Sequence, residues 1–226
     1  MIKISPSIVC GSLSNLEATI LAIEEAEVDS IHFDIEDGSF VPLMRLGTNI
    51  IEEARLLTKL PFDVHLMMNN PEWIIPELAK IGVDQVSVHY EACPYPRRTL
   101  KLIVDHGMQA GLAFNPATPI PSLRFCKPFL RFVVVLSTDP EIGDCDFLPD
   151  VLEKLNRCRE CEGLEGVEWV VDGGVTPDVV HLIKAAGADR IVAGRGIFQN
   201  GTIMDNIQKY QARSSGDYVK ESLNGH

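Results

Sequence analysis

Two hydrophobic rhythms alternate along this chain. Short, dense apolar runs are followed by stretches in which apolar residues recur every three to four positions, as Leu16, Ile20 and Ile23 do. The runs predict strands at 2–5, 30–34, 62–66, 85–89, 109–114, 132–136, 167–171 and 190–193. Between and after them the spacing predicts helices at 13–25, 48–58, 71–79, 97–105, 119–125 (short), 147–159, 176–186 and 202–210. Proline opens the 71–79 helix, and Thr176 is the expected N-cap of the 176–186 helix.

Eight strand–helix units in 226 residues predict an α/β protein, a (β/α)8 TIM barrel. The rival is an open, doubly wound parallel sheet. Near-continuous apolar strands suit both, but no Gly-x-Gly-x-x-Gly follows the first strand, which counts against the dinucleotide-binding version. One domain is expected over 1–212, followed by a polar, frayed C-terminal tail over 213–226.

Composition narrows the functional classes. A formal charge of −12 argues against nucleic acid or an anionic membrane as the main partner. It leaves room for a small anion held by backbone amides. No apolar run reaches the roughly 18 residues of a membrane span, and the first residues read as a strand, without a signal-peptide pattern. A cytoplasmic protein with its six cysteines reduced is the expectation.

The chemistry gathers at strand ends. In Ser30-Ile31-His32-Phe33-Asp34, alternation turns His32 and Asp34 to one face and Ile31 and Phe33 to the other. His65 and Asp172 close two further strands. A single strand histidine would read as a packed, hydrogen-bonded residue. Four inward ligand types are costly in a barrel unless they are paired or hold a cation. Two imidazoles and two carboxylates suit one divalent ion: zinc, iron, manganese or cobalt. Asp172-Gly173-Gly174 and Gly194-Arg195-Gly196 close the last two strands, where barrels commonly bind phosphate. The plainer reading of these glycines is tight turns.

These residues lie in a wider pattern that resembles the ribulose-phosphate 3-epimerases. It includes Ile4-Ser5-Pro6-Ser7-Ile8, His32-Phe33-Asp34 with Asp37-Gly38 and Phe40-Val41-Pro42, and Asp63-Val64-His65-Leu66-Met67. It continues through His89-Tyr90-Glu91-Ala92, the stretch from Gly111 to Pro119, Val171-Asp172-Gly173-Gly174-Val175 and Ala185-Ala186-Gly187-Ala188-Asp189. The resemblance implies an isomerase that inverts carbon 3 of a ketose phosphate, such as ribulose 5-phosphate, through an enediolate. It implies His32, Asp34, His65 and Asp172 as metal ligands, with Asp34 and Asp172 also acting as the acid and base. Ser7, His65, Gly143, Gly173, Gly174, Gly194 and Arg195 are the implied substrate contacts, and a homo-oligomer is the implied assembly.

Departures from the family pattern cluster at the site. The usual Pro-Gly-Phe-Gly-Gly-Gln loop reads Pro140-Glu141-Ile142-Gly143-Asp144-Cys145 here. Glu36 and Leu136 stand where methionines are usual, Leu43 replaces an asparagine, Cys10 a serine and Ser12 an aspartate, and Arg195 replaces a small residue. Glu36 is open to three readings: a fifth ligand, an ion-pair partner of Arg195 or Arg45, or a solvated turn residue. These changes leave room for a hexulose 6-phosphate such as allulose 6-phosphate, or for a barrel that binds a sugar phosphate without turnover. A decarboxylase of the related barrels would carry Asp-x-Lys-x-x-Asp, and Asp63-Val64-His65-Leu66-Met67-Met68 lacks the lysine and the second aspartate. Of the remaining features, Cys158 and Cys161 share a predicted helix, His106 and His181 read as surface residues, and Trp73 and Trp169 as packing residues. Met67 is expected to floor the site, and His89 and Glu91 either edge it or are structural.

Overall fold

The computed structural model describes residues 1–140, 146–159 and 163–215. Eight parallel strands follow one another round a barrel: β1 (Lys3–Pro6), β2 (Ile31–Glu36), β3 (Phe62–Met67), β4 (Gln85–His89), β5 (Gln109–Phe114), β6 (Leu130–Leu136), β7 (Glu168–Asp172) and β8 (Arg190–Ala193). Their hydrogen-bonded order is β1-β8-β7-β6-β5-β4-β3-β2, and a parallel bridge between Ser7 and His32 brings the two ends together. Each parallel pairing needs a crossover: α1 (Leu16–Glu25), α2 (Thr48–Leu57), α3 (Ile75–Ile81), α4 (Pro96–Asp105), α5 (Val151–Arg159) and α6 (Val180–Ala185) supply six of the seven, and the one from β5 to β6 carries no helix. A four-residue α7 (Arg195–Phe198) and the longer α8 (Ile203–Ser215) follow β8.

Outward strand residues such as Ile31, Phe33, Val64, Val86, Val133, Val135 and Ile191 are fully buried against the helices and form one continuous core. Each such side chain contributes about 1.5–3 kcal/mol by leaving water. The inward residues divide the barrel's interior into two halves. Ala113, Phe132, Val134, Leu136, Val170 and Val192, from β5 to β8, make an apolar cluster of their own. Ser5, His32, Asp34, Asp63, His65, Ser87 and His89, from β1 to β4, are buried polar residues. The division is not complete, because Asp172 ends β7 and the buried Arg190 opens β8.

Several expected elements differ. No helix forms over 119–125; the segment is irregular and then turns. Pro119 and Pro121 supply no amide hydrogens, and Pro121 biases Ile120 away from helical backbone. The helix expected from Phe147 starts at Val151, because Pro149 constrains the residue before it in the same way. Thr176 stands at the N-cap position with extended backbone, but its side chain makes no capping bond. The chain is helical through Ser215, past the 202–210 helix expected, and the Lys184 ammonium donates to the Ser214 carbonyl at 2.5 Å. Trp169 is buried, whereas Trp73 is 69% exposed in a short 3₁₀ turn and is not a packing residue. Cys158 lies in α5, and Cys161 falls outside the described residues.

Gly111 faces inward on β5, where an added Cβ would press into the buried Phe132 ring. Gly111→Ala is expected to lower stability by about 1–3 kcal/mol through overpacking, read from denaturant unfolding. A change of a few tenths would show that the apolar half is not tightly filled.

Candidate active site

Strand register builds the site. In the β2–β3 pair Asp34 stands beside His65, and His32 beside Asp63. With a period of two, all four side chains turn into the barrel. Asp172 ends β7, three strands round from β2. Its backbone is tethered to the loop after β6: the Ser137 amide donates to the Asp172 carbonyl at 2.7 Å, and the Ser137 hydroxyl to the Gly173 carbonyl at 2.5 Å.

Ligand atoms from His32, Asp34, His65 and Asp172 all lie within 4.8 Å of one another. His32 Nε2 is 3.2 Å from Asp34 Oδ1 and 3.8 Å from Asp172 Oδ2. His65 Nδ1 is 3.3 Å from Asp34 Oδ1 and 3.5 Å from Asp172 Oδ2. That nitrogen is buried and lacks an aligned hydrogen-bond partner. A tetrahedral ion with bonds of about 2.0–2.2 Å requires donors about 3.3–3.6 Å apart. The four imidazole–carboxylate separations lie near that range, and the orphaned nitrogen and mixed donor set suit a divalent metal.

Without a cation the cluster holds protons. Burial opposes charge on His32, but Asp34 and Asp63 outweigh it and raise its pKa well above the usual value. Burial likewise opposes charge on His65, yet the Asp172 and Asp34 carboxylates facing its Nδ1 lift its pKa to about 9. Against its own desolvation, Asp34 is held well below the ordinary carboxylate range by His32 and His65. The Ser7 hydroxyl donates to Asp34 Oδ2 at 2.6 Å and fixes that carboxylate's orientation.

A cavity of about 1160 Å³ opens at the carboxyl ends of the strands, lined in part by Ser7, Asp34, Asp172, Gly173, Gly174, Gly194 and Arg195. Gly143 and the rest of the 141–145 segment lie outside the described residues. Gly173 has φ of +104°, and a Cβ there would run into the Thr138 hydroxyl, so only glycine fits this turn. A Cβ on Gly194 would lie 2.6 Å from the Cys10 sulfur. Glu36 is 3% exposed and engaged by Arg45, whose amide donates to Oε2 at 2.8 Å and whose Nε donates to Oε1 at 3.1 Å. Of its three readings, the ion pair with Arg45 is the one observed. Met67 is buried at the end of β3.

Two side-chain relays back the histidines; the sequence reading missed the first, and of the second it had named His89 and Glu91 as either edging the site or structural. Behind His32, Asp63 Oδ2 accepts from His32 Nδ1 at 3.0 Å and faces Arg190 Nη1 at 3.2 Å. Arg190 Nη2 lies 3.3 Å from Glu168, which pairs with Lys3 at 2.8 Å, so charges run through the barrel to its far end. Behind His65, the Nε2 atoms of His65 and His89 lie 3.0 Å apart, and His89 Nδ1 lies 3.1 Å from Glu91. Burial pushes the His89 pKa down to about 4. The alternation of Asp63 with His65 was the available signal for Asp63. Nothing local announced Arg190, whose partners are distant in sequence.

The model of the ribulose-phosphate 3 epimerase family matches residues 3–198. The ribulose-phosphate 3-epimerase of Bacillus subtilis (strain 168) is 38% identical over 201 residues, covering 88% of this chain and 93% of that protein. The ribulose-phosphate 3-epimerase of Synechocystis sp. (strain ATCC 27184 / PCC 6803 / Kazusa) is 39% identical over 201 residues, covering 87% of each. Among solved structures, a 3-hexulose-6-phosphate synthase has a TM-score of 0.70 at 17% identity, covering 94% of this chain and 99% of that one, a likeness of fold. With that family match and those relatives along most of its length, the chain belongs to the ribulose-phosphate 3-epimerase family of carbohydrate isomerases.

Proposed function

We propose that this protein is a metal-dependent sugar-phosphate 3-epimerase that inverts carbon 3 of a ketose phosphate, with ribulose 5-phosphate as the first substrate to test. The observation that carries the reading is the meeting of Asp34 and Asp172, from strands on different sides of the barrel, with two histidines within reach of one ion. His32, Asp34, His65 and Asp172 would hold a zinc, iron, manganese or cobalt ion. Bound there, the ion would act as a Lewis acid that neutralises charge building up on the substrate oxygens as the carbon 3 proton leaves.

The chain's own groups do the rest. One of Asp34 and Asp172 takes the proton from one face of the sugar, and the other returns a proton to the opposite face of the enediolate. The roles exchange with the direction of reaction. Ser7 orients Asp34 through its hydroxyl. Gly173, Gly174 and Gly194 let backbone amides approach the phosphate, and Arg195 adds a charge-assisted contact. Gly143 belongs to the same proposed phosphate grip. A homo-oligomer at work in the cytoplasm completes the reading, supported by family membership alone.

In deuterium oxide, the protein with metal and ribulose 5-phosphate is expected to exchange the carbon 3 proton and form xylulose 5-phosphate. Exchange only with allulose 6-phosphate would move the substrate to a hexulose. No exchange with either sugar would leave a binding protein without turnover. At saturating metal, Asp34→Asn and Asp172→Asn should each slow interconversion by about 10²–10⁴-fold. Each should still exchange deuterium into one epimer and not the other; unimpaired interconversion in either variant would refute the two-acid scheme.

The raised His65 pKa sets a pH dependence. Its stabilising effect in the metal-free protein is complete below about 6.5 and is lost as pH rises through about 9. Chelator-treated protein should therefore melt at lower temperature as pH climbs through this window. A divalent ion competes with the same proton, so the stabilisation from added zinc should grow over that interval. A gap between loaded and metal-free protein that narrows with rising pH would contradict the assignment.

A further inference from the structure

Asp63 and Arg190 form a buried ion pair that makes little sense as a stabilising device. Asp63 is fully buried and Arg190 is 2% exposed. Asp63 Oδ1 and Arg190 Nε have no hydrogen-bond partner, and Arg190 Nη2 faces Glu168 without forming an aligned bond. Burying such a pair removes two charges from water while leaving part of their bonding capacity unused. Apolar residues of similar volume would serve stability as well or better.

The pair's geometry points to a different task. The one engaged oxygen of Asp63 is shared between Arg190 Nη1 and His32 Nδ1. The other nitrogen of His32 faces Asp34 and Asp172. Arg190 is itself pinned: its guanidinium lies over the Phe132 ring at 5.2 Å, and Nη1 donates to the Ser30 hydroxyl at 3.5 Å. His65, in contrast, is backed by an imidazole, that of His89, which burial keeps neutral.

We propose that Asp63 and Arg190 are positioning residues that present Nε2 of His32 to the divalent metal, and that they set metal affinity rather than fold stability. This rests on the metal-dependent reading given above. With Asp63 accepting at Nδ1, the ring's tautomer and tilt are fixed and its second nitrogen is left as the donor, made more basic by the carboxylate behind it. Arg190 keeps Asp63 ionised and in place. The two histidines then differ as ligands, with His32 the stronger and His65 the weaker donor.

The test uses the full chain and zinc alone, without substrate. Zinc affinity is measured by competition with a chromophoric chelator, alongside circular dichroism and thermal melting of the metal-free protein. The double variant Asp63→Asn/Arg190→Met removes both charges and keeps similar volumes. It is expected to bind zinc about 10–100-fold more weakly than wild type, with an unchanged or raised melting temperature. If the double variant does not fold, Asp63→Asn alone is read by the same measures. Affinity equal to wild type would overturn the proposal, as would an affinity loss that only accompanies loss of native circular dichroism. Wild-type protein that takes up no divalent metal would instead bring down the metal-dependent reading itself, and this inference with it.

Discussion

Two buried imidazoles, the buried Asp34 and the half-buried Asp172, all within one ion's reach, are the constraint around which the rest of this barrel is arranged. Empty of both protons and metal, the site would place uncompensated negative charge in a water-poor interior. The metal-free protein meets this by protonating the histidines, whose pKa values rise accordingly. In the proposed function a divalent cation would meet the same need and would add a Lewis acid at the point where the chemistry develops charge. Folding and the proposed catalysis would thus depend on the same electrostatic balance.

The division of the barrel's interior follows from that balance. Phe132, Val134, Val170 and Val192 fill one side with apolar volume and set the curvature against which β1 to β4 can turn polar residues inward. The polar side is then connected, one residue to the next. Ser7 steadies Asp34, Asp63 and Arg190 stand behind His32, and His89 and Glu91 stand behind His65. The proposed ligand set, drawn from β2, β3 and β7, would need such backing, because its members come from separate strands and rotamer freedom in any one would open the site.

The strands and their inward faces were legible because the side-chain period in a strand is two and does not depend on context. His32 with Asp34, and Asp63 with His65, could be placed on one face from spacing alone. Convergence with Asp172 needed the barrel, which the repeated strand–helix rhythm supplied. Helix limits were less legible, because proline acts on its neighbours: Pro121 and Pro149 removed helix where apolar spacing predicted it. Trp73 misled because an aromatic residue carries no local mark of which way a 3₁₀ turn will point it. The Asp63–Arg190 pair and the grip of Arg45 on Glu36 are facts of tertiary contact, and the sequence offered for them only the presence of charges within or beside strands.

Crystals of the protein grown with zinc and recorded at the zinc absorption edge test the central claim most directly. The account predicts one anomalous peak about 2.0–2.2 Å from His32 Nε2, Asp34 Oδ1, His65 Nδ1 and Asp172 Oδ2. A peak bound elsewhere, or these four side chains turned apart around no ion, would contradict it.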